Sequence, residues 1–199
     1  MTAAGDGALR RTVLIVAALN LAYFGVEFVA ALRIGSVSLF ADSIDFLEDA
    51  SVNLLILLAL GWTLAARART GMALAGIMLV PAVAFLWTLW QKVQSPIPPE
   101  AAAMSVIGLG ALGVNLGCAW LLARHRQGQG SLTRAAFLSA RNDAVANVAI
   151  IVAAGITALH PSIWPDITVG LGIAWMNLDA AHEVWEAARG EAKAAQAEP

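Results

Sequence analysis

The chain has 199 residues, of which 59% are hydrophobic and 13% charged, and its mean hydropathy of +0.73 excludes an ordinary soluble domain. Its single cysteine, Cys118, excludes an intramolecular disulfide framework and a cysteine-rich metal or redox site. The net charge of −2 excludes little, because in a membrane protein the distribution of charge matters more than its sum.

Six apolar segments are long enough to cross a bilayer, whose hydrocarbon core of about 30 Å needs about 20 helical residues. Glycine, proline and serine residues typical of turns separate the segments. The first segment has a longer apolar core than a signal peptide and contains Asn20 and Glu27, so we expect it to be retained. The segments cover residues 12–32, 40–66, 71–91, 101–123, 135–159 and 163–187.

The positions of lysine and arginine predict the orientation of these segments. Most basic residues lie at the termini and in one set of loops, whereas the opposite set holds only Arg33 and Lys92. By the positive-inside rule, we expect an all-α membrane protein with six transmembrane helices and both termini cytoplasmic, in the inner or plasma membrane. The predicted parts are a cytoplasmic N-terminal segment at 1–11, a transmembrane domain at 12–188 and a short cytoplasmic tail at 189–199.

The second segment carries four carboxylates in the stretch "LFADSIDFLEDASVN", residues 39–53. Asp42, Asp45 and Asp49 fall on one helical face, and Glu48 lies at its flank. An aspartate at the bilayer centre costs about 2.5–3.5 kcal/mol and usually faces a wet cavity or an ion path. The alternative is a helix that starts near the membrane surface, with Asp42 capping its first turn and the other carboxylates solvated.

The fifth segment offers a second acidic face. Ser139, Asp143 and Asn147 are spaced by four residues and therefore share one side of a helix. If this side packs against the second segment, Asp143 meets the Asp45/Asp49 pair. Three converging carboxylates need a cation or protons, because like charges repel and burial disfavours ionisation. A divalent metal that protons can displace would satisfy them, which predicts a metal/proton exchanger.

The order and spacing of these motifs resemble the cation diffusion facilitator family of six-helix divalent-metal/proton antiporters. In this resemblance, "ADSIDFLED" places Asp45 and Asp49 in the two ligand positions of helix two. The stretch "SARNDAVANVAIIVAAG" places Asp143 in the aspartate position of helix five and Ser139 where a histidine usually stands. The resemblance implies a cation efflux transporter that works by alternating access as a homodimer, with these four residues around the metal.

Two departures from the family pattern bear on the expected substrate and form. Ser139 leaves an all-oxygen ligand set, which Asn142 or water could complete and which favours harder cations than a histidine-containing site does. Zn²⁺ is the first expectation, with Cd²⁺, Mn²⁺, Fe²⁺ and Co²⁺ left open and no resident cofactor. We expect a short form of the family without its C-terminal cytoplasmic domain.

Other polar groups have two interpretations each. Asn20, Tyr23 and Glu27 share one face of the first segment and could line the pathway or make a polar helix–helix contact. The sixth segment ends in an acidic and histidine cluster, which could be a second metal site or the solvated end of an amphipathic helix. Its members are Asp179, His182, Glu183 and Glu186.

Two other classes of function stay open, a small proton-coupled exporter of organic cations and a non-transporting membrane subunit or sensor. An enzyme is not expected, because the chain has no HExxH motif, no catalytic Ser/His/Asp set and no phosphate-binding glycine loop. A nucleic-acid partner is not expected either, because no soluble basic patch is present.

Overall fold

The structure of the protein is a computed structural model that describes residues 3–59, 69, 83–123 and 131–197. Within these ranges all regular structure is α-helical, which confirms the predicted all-α fold for the described part of the chain. The helices are α1 at Ala3–Ile34, α2 at Val37–Ala59, α3 over residues 83–94, α4 at Ala101–Ala123, α5 at Ser131–Leu159 and α6 at Trp164–Ala197.

The helices follow the six predicted segments, with differences at their ends. Helix α4 begins and ends where the fourth segment was predicted to, at Ala101 and Ala123. Helix α6 continues to Ala197, well beyond the predicted segment end at 187, because its last part is rich in alanine, the best helix former. Parts of the second and third predicted segments, residues 60–66 and 71–82, lie outside the described residues.

Three helical stretches of the described chain are long and apolar enough to cross a membrane: Arg10–Ile34, Ala101–Ala123 and Asn142–Leu159. Helix α2 has 23 residues, a sufficient length, but it carries four carboxylates, and α3 is described only in part. The full number of six crossings and the orientation of the termini therefore stay predictions.

The distribution of polarity is the reverse of that in a soluble bundle. Large apolar side chains such as Val106, Val145 and Trp175 are exposed, whereas Glu27 and Asn147 are fully buried. Because lipid chains are apolar, membrane bundles keep polar groups on the inside and present apolar side chains outward.

Helix α2 has neighbours on several sides. It packs against α1, α5 and α6, and α4 packs against α1 and α5. A buried apolar cluster joins these helices, with Phe40 and Ile44 from α2, Met104 from α4, Ile150 from α5 and Ile167 from α6. The acidic face of α2 is therefore surrounded by other helices.

A tight turn connects α1 to α2. Gly35 has φ +64, a left-handed conformation that glycine adopts without strain. The Ser36 N–H donates to the Ala31 carbonyl oxygen at 3.1 Å, as in a Schellman helix ending. Lys92 of α3 donates from Nζ to the Gly35 carbonyl oxygen at 2.5 Å. This turn fixes the start of α2 beside the end of α1.

Asp166 in the first turn of α6 caps the start of α2 from outside that helix. Its carboxylate is fully buried and accepts the backbone N–H groups of Val37 at 2.8 Å and Ser38 at 3.0 Å. It also accepts the hydroxyls of Ser36 and Ser38, both at 2.7 Å. These bonds satisfy helix donors that no intrahelical carbonyl can reach. Together they hold α6 against the N-terminus of α2.

Candidate cation-binding site

The acidic stretch of α2 is placed inside the bundle. The Asp42 and Glu48 side chains are buried, and those of Asp45 and Asp49 are partly buried. Because α2 begins at Val37 and its first turn contains no acidic residue, the alternative in which Asp42 caps that turn is wrong. The four carboxylates of α2 instead lie along the part of the helix that other helices surround.

Helix α5 brings Asp143 to this acidic face. The Asp143 carboxyl is within hydrogen-bonding range of Asp49. Asp143 is also a close charged neighbour of Asp45. The packing of α2 against α5, which the shared face of Ser139, Asp143 and Asn147 suggested, is therefore present.

A closed metal site is not formed among the described residues, since no three histidine, cysteine, aspartate or glutamate side chains come together as a set of ligands. The Asp45/Asp49/Asp143 site therefore stays a prediction. Ser139 lies in α5 one helical turn before Asp143, and its side chain is outside the described part of the structure. Asn142, the other suggested oxygen donor, has an exposed side chain.

Asp42 belongs to a chain of hydrogen bonds that crosses three helices. Asn115 of α4 donates from Nδ2 to Oδ1 of Asn147 on α5 at 2.9 Å. Asn147 in turn donates from its own Nδ2 to Oδ2 of Asp42 on α2 at 2.5 Å. All three side chains are buried, with at most 2% of their surface exposed. Sequence reasoning placed Asn147 on the right face but gave it no partner, and it gave Asn115 no role.

Glu27 of α1 completes the polar interior on the other side of α2. Its side chain is fully buried and lies within hydrogen-bonding range of Asp42. Asn20, predicted on the same face of α1, is also fully buried. The Tyr23 hydroxyl donates to the Ile107 carbonyl oxygen of α4 at 2.6 Å, so for Tyr23 the structure gives the helix–helix contact.

Several oxygen atoms in this interior lack a hydrogen-bond partner among the described residues. They are both carboxyl oxygens of Glu27, Oδ1 of Asp42, Oε1 of Glu48 and Oδ1 of Asn53. Buried polar atoms are almost always paired, so unpaired oxygens need a physical explanation. Oxygen atoms of this kind can be satisfied by a cation or by protons. They lie along α2 and the facing side of α1, and an ion path at this place stays a prediction.

The cluster at the end of α6 is exposed where the structure describes it. His182 and Glu186 have 67% and 70% of their side-chain surface exposed, and His182 Nε2 lies 3.9 Å from Glu186 Oε1. The side chains of Asp179 and Glu183 lie outside the described residues. The described pair fits the solvated end of an amphipathic helix better than a buried ligand set.

Comparison with protein families matches residues 13–189 to the cation efflux transmembrane domain. The chain belongs to the cation diffusion facilitator family. The match includes parts of all six predicted segments and agrees with the resemblance seen in the α2 and α5 motifs. No curated protein matches the chain.

Membership of this family establishes the general class of the protein. Its members are transmembrane transporters of cations and are not enzymes, so the predicted class of a cation efflux protein in a membrane is confirmed. The apolar outer surface and the buried carboxylates agree with this class. Family membership does not establish the transported ion, the coupling to protons or the ligand set.

Proposed function

We propose that the protein exports a divalent transition-metal cation in exchange for protons by alternating access, with Zn²⁺ as the first candidate. The observation that carries this proposal is the approach of Asp143 on α5 to Asp45 and Asp49 on α2 inside a membrane bundle. Such carboxylates repel one another unless a cation or protons are present. Family membership supplies the direction of transport, which is efflux.

The proposed chemistry is a competition between protons and metal for the same oxygens. Without metal, protons reduce the repulsion between the carboxyl groups, and a divalent cation displaces them when it binds. Divalent metals hold oxygen ligands at about 2.0–2.6 Å, and the described side chains of α2 and α5 do not form such a ligand set. Cation binding would therefore draw α5 toward α2, and the accompanying helix movement would change the side of the membrane from which the site opens.

The ligand set proposed for this cation is Asp45, Asp49 and Asp143, with Ser139 or a water molecule in the fourth position. A serine hydroxyl is a weak ligand unless it is deprotonated, so this set lacks the nitrogen donor that favours Zn²⁺ over harder ions. Cd²⁺, Mn²⁺, Fe²⁺ and Co²⁺ are therefore alternative substrates to be screened beside Zn²⁺.

In the membrane, we propose six transmembrane helices with both termini in the cytoplasm, in the inner or plasma membrane. The excess of lysine and arginine at the termini and in the loops on one side supports this orientation. We also propose that the protein works as a homodimer, which rests on the family alone.

The test is metal-dependent proton flux in proteoliposomes that contain a pH-sensitive dye. Wild-type protein should move protons against Zn²⁺ or one of the other ions, whereas Asp49→Ala and Asp143→Ala should abolish both fluxes. Val145→Ala, on the exposed side of α5, is the matched control and should transport normally. Proton flux with a lipophilic organic cation but with none of the metals would instead support the organic-cation exporter.

A further inference from the structure

Glu27 and Asp42 form a pair of carboxyl groups outside the proposed metal ligands. Glu27 comes from α1 and Asp42 from α2, and both side chains are fully buried within hydrogen-bonding range of each other. Asp42 lies one helical turn nearer the start of α2 than Asp45. The pair therefore borders the metal ligands on the side of the α1–α2 turn.

Three of the four carboxyl oxygens in this pair have no donor in the described part of the chain. Asn147 donates to Oδ2 of Asp42, but Oδ1 of Asp42 and both oxygens of Glu27 receive no hydrogen bond from the described residues. No salt bridge to either residue occurs in the described part of the chain. Two buried neighbouring carboxylates cannot both stay ionised without a compensating charge, since burial and mutual repulsion both oppose it.

Among the described residues, the groups around the pair add no positive charge. Titratable side chains that face it are Tyr23 from α1, Asp45 from α2 and Asp143 from α5. From α4 the polar neighbour is the neutral Asn115, which acts through Asn147. From α6, Asn177 reaches only the backbone of α2, where it donates to the Ala41 carbonyl oxygen at 3.3 Å.

We propose that Glu27 and Asp42 share one proton in the metal-free protein, and that binding of the divalent cation at the neighbouring site expels this proton. The O–H bond of the shared carboxyl breaks, H⁺ leaves to water, and both carboxylates stay ionised beside the positive charge of the metal. The pair is thus a proton site that is distinct from the metal ligands. This proposal rests on the proposed metal/proton exchange.

The test counts protons released when purified protein binds Zn²⁺, by calorimetry in buffers of different ionisation enthalpy. Glu27→Gln should still bind Zn²⁺ but release about one proton fewer per metal than wild type, because the glutamine amide supplies a donor to an ionised Asp42. Asp42→Asn should show the same deficit. The double variant should lose no more than either single variant, because one proton is shared.

Thr157→Val is the control, since it removes a buried hydroxyl that has no partner among the described residues and carries no titrating proton. It should release as many protons as wild type.

Unchanged proton release in Glu27→Gln and Asp42→Asn would overturn the proposal, as would a deficit in the double variant that equals the sum of the two single deficits. Loss of Zn²⁺ binding in a folded Glu27→Gln would also overturn the proposal, because it would indicate that Glu27 is a metal ligand. Wild-type protein that binds Zn²⁺ without releasing protons would overturn the exchange mechanism as well.

Discussion

Asn147 on α5 donates a hydrogen bond to Asp42 on α2, and it also accepts one from Asn115 on α4. A single amide thus connects three helices inside the bundle, and it does so beside the proposed cation site. The geometry fixes the orientation of this amide, because only Nδ2 can donate to the carboxylate and only Oδ1 can accept from Asn115.

Replacing this amide should weaken the bundle. Asn147→Ala would leave the Asn115 amide without its partner and Asp42 without its donor. Loss of one partner from a buried hydrogen bond costs about 1–3 kcal/mol, so the unfolding temperature in detergent should fall clearly. Val148→Ala, an exposed neighbour on the same helix, should have little effect. Equal unfolding temperatures for the two variants would contradict the role of this network.

The cap that Asp166 provides to α2 leads to a second prediction. Asp166→Ala would leave the N–H groups of Val37 and Ser38 without acceptors in a buried place, and the hydroxyls of Ser36 and Ser38 would lose the same partner. We expect a loss of stability of about 3 kcal/mol or more, larger than that of an ordinary surface cap. Thermal unfolding of Asp166→Ala beside Glu100→Ala, at an exposed position, measures the difference.

A third prediction concerns the close approach of α6 to the start of α2. A Cβ atom at Gly170 would lie 2.9 Å from Cγ1 of Val37 and 3.0 Å from the backbone nitrogen of Ser38, too close for either to remain in place. Gly170→Ala should therefore separate the helices and destabilise the protein by about 1–3 kcal/mol.

Gly172 supplies the matched control on the same helix. A Cβ atom there would meet nothing within 4 Å. Gly172→Ala should therefore stabilise α6 by about 0.5–1 kcal/mol through helix propensity alone. If both alanine variants shift the unfolding temperature in the same direction, the contact between Gly170 and α2 is not as the structure shows it.

The helices and the acidic face of α2 could be predicted because both depend on local sequence. Hydropathy over consecutive residues gave the segments, and helical spacing placed Asp45 and Asp49 on one side. Spacing also grouped Asp143 with Asn147 on α5. Polar faces inside a membrane are stabilised by packing against each other, so the packing of α2 against α5 could be predicted.

Contacts between distant residues could not be derived in this way. From the sequence alone, Asp166 is an ordinary acidic residue in the first turn of a helix, where the helix dipole favours a negative charge. Its partners, Ser36, Val37 and Ser38, precede it by 128 to 130 residues, and nothing local marks them. Asn115 lies in a stretch of small and apolar residues, and its bond to Asn147 depends on how α4 meets α5. Such pairs are properties of the packed bundle.

The last prediction concerns Ser139 and tests which face of helix α5 points toward the metal. If Ser139 stands in the fourth ligand position, Ser139→His should supply the nitrogen donor that the site lacks. Zn²⁺ binding should then tighten by about 1–3 kcal/mol, with a shift in selectivity away from Mn²⁺. Ser139→Ala should change little if water already completes the ligand shell.

The pH dependence of the histidine variant distinguishes a new ligand from a general effect on the protein. An imidazole must be neutral to ligate, so protonation below its ordinary pKa of about 6.5 should weaken Zn²⁺ binding more steeply than in wild type. Affinities for Zn²⁺ and Mn²⁺, measured at one pH above and one below this value for wild type and both Ser139 variants, provide the comparison. Unchanged affinity and selectivity in a folded Ser139→His would mean that residue 139 faces away from the metal and that the proposed register of α5 is wrong.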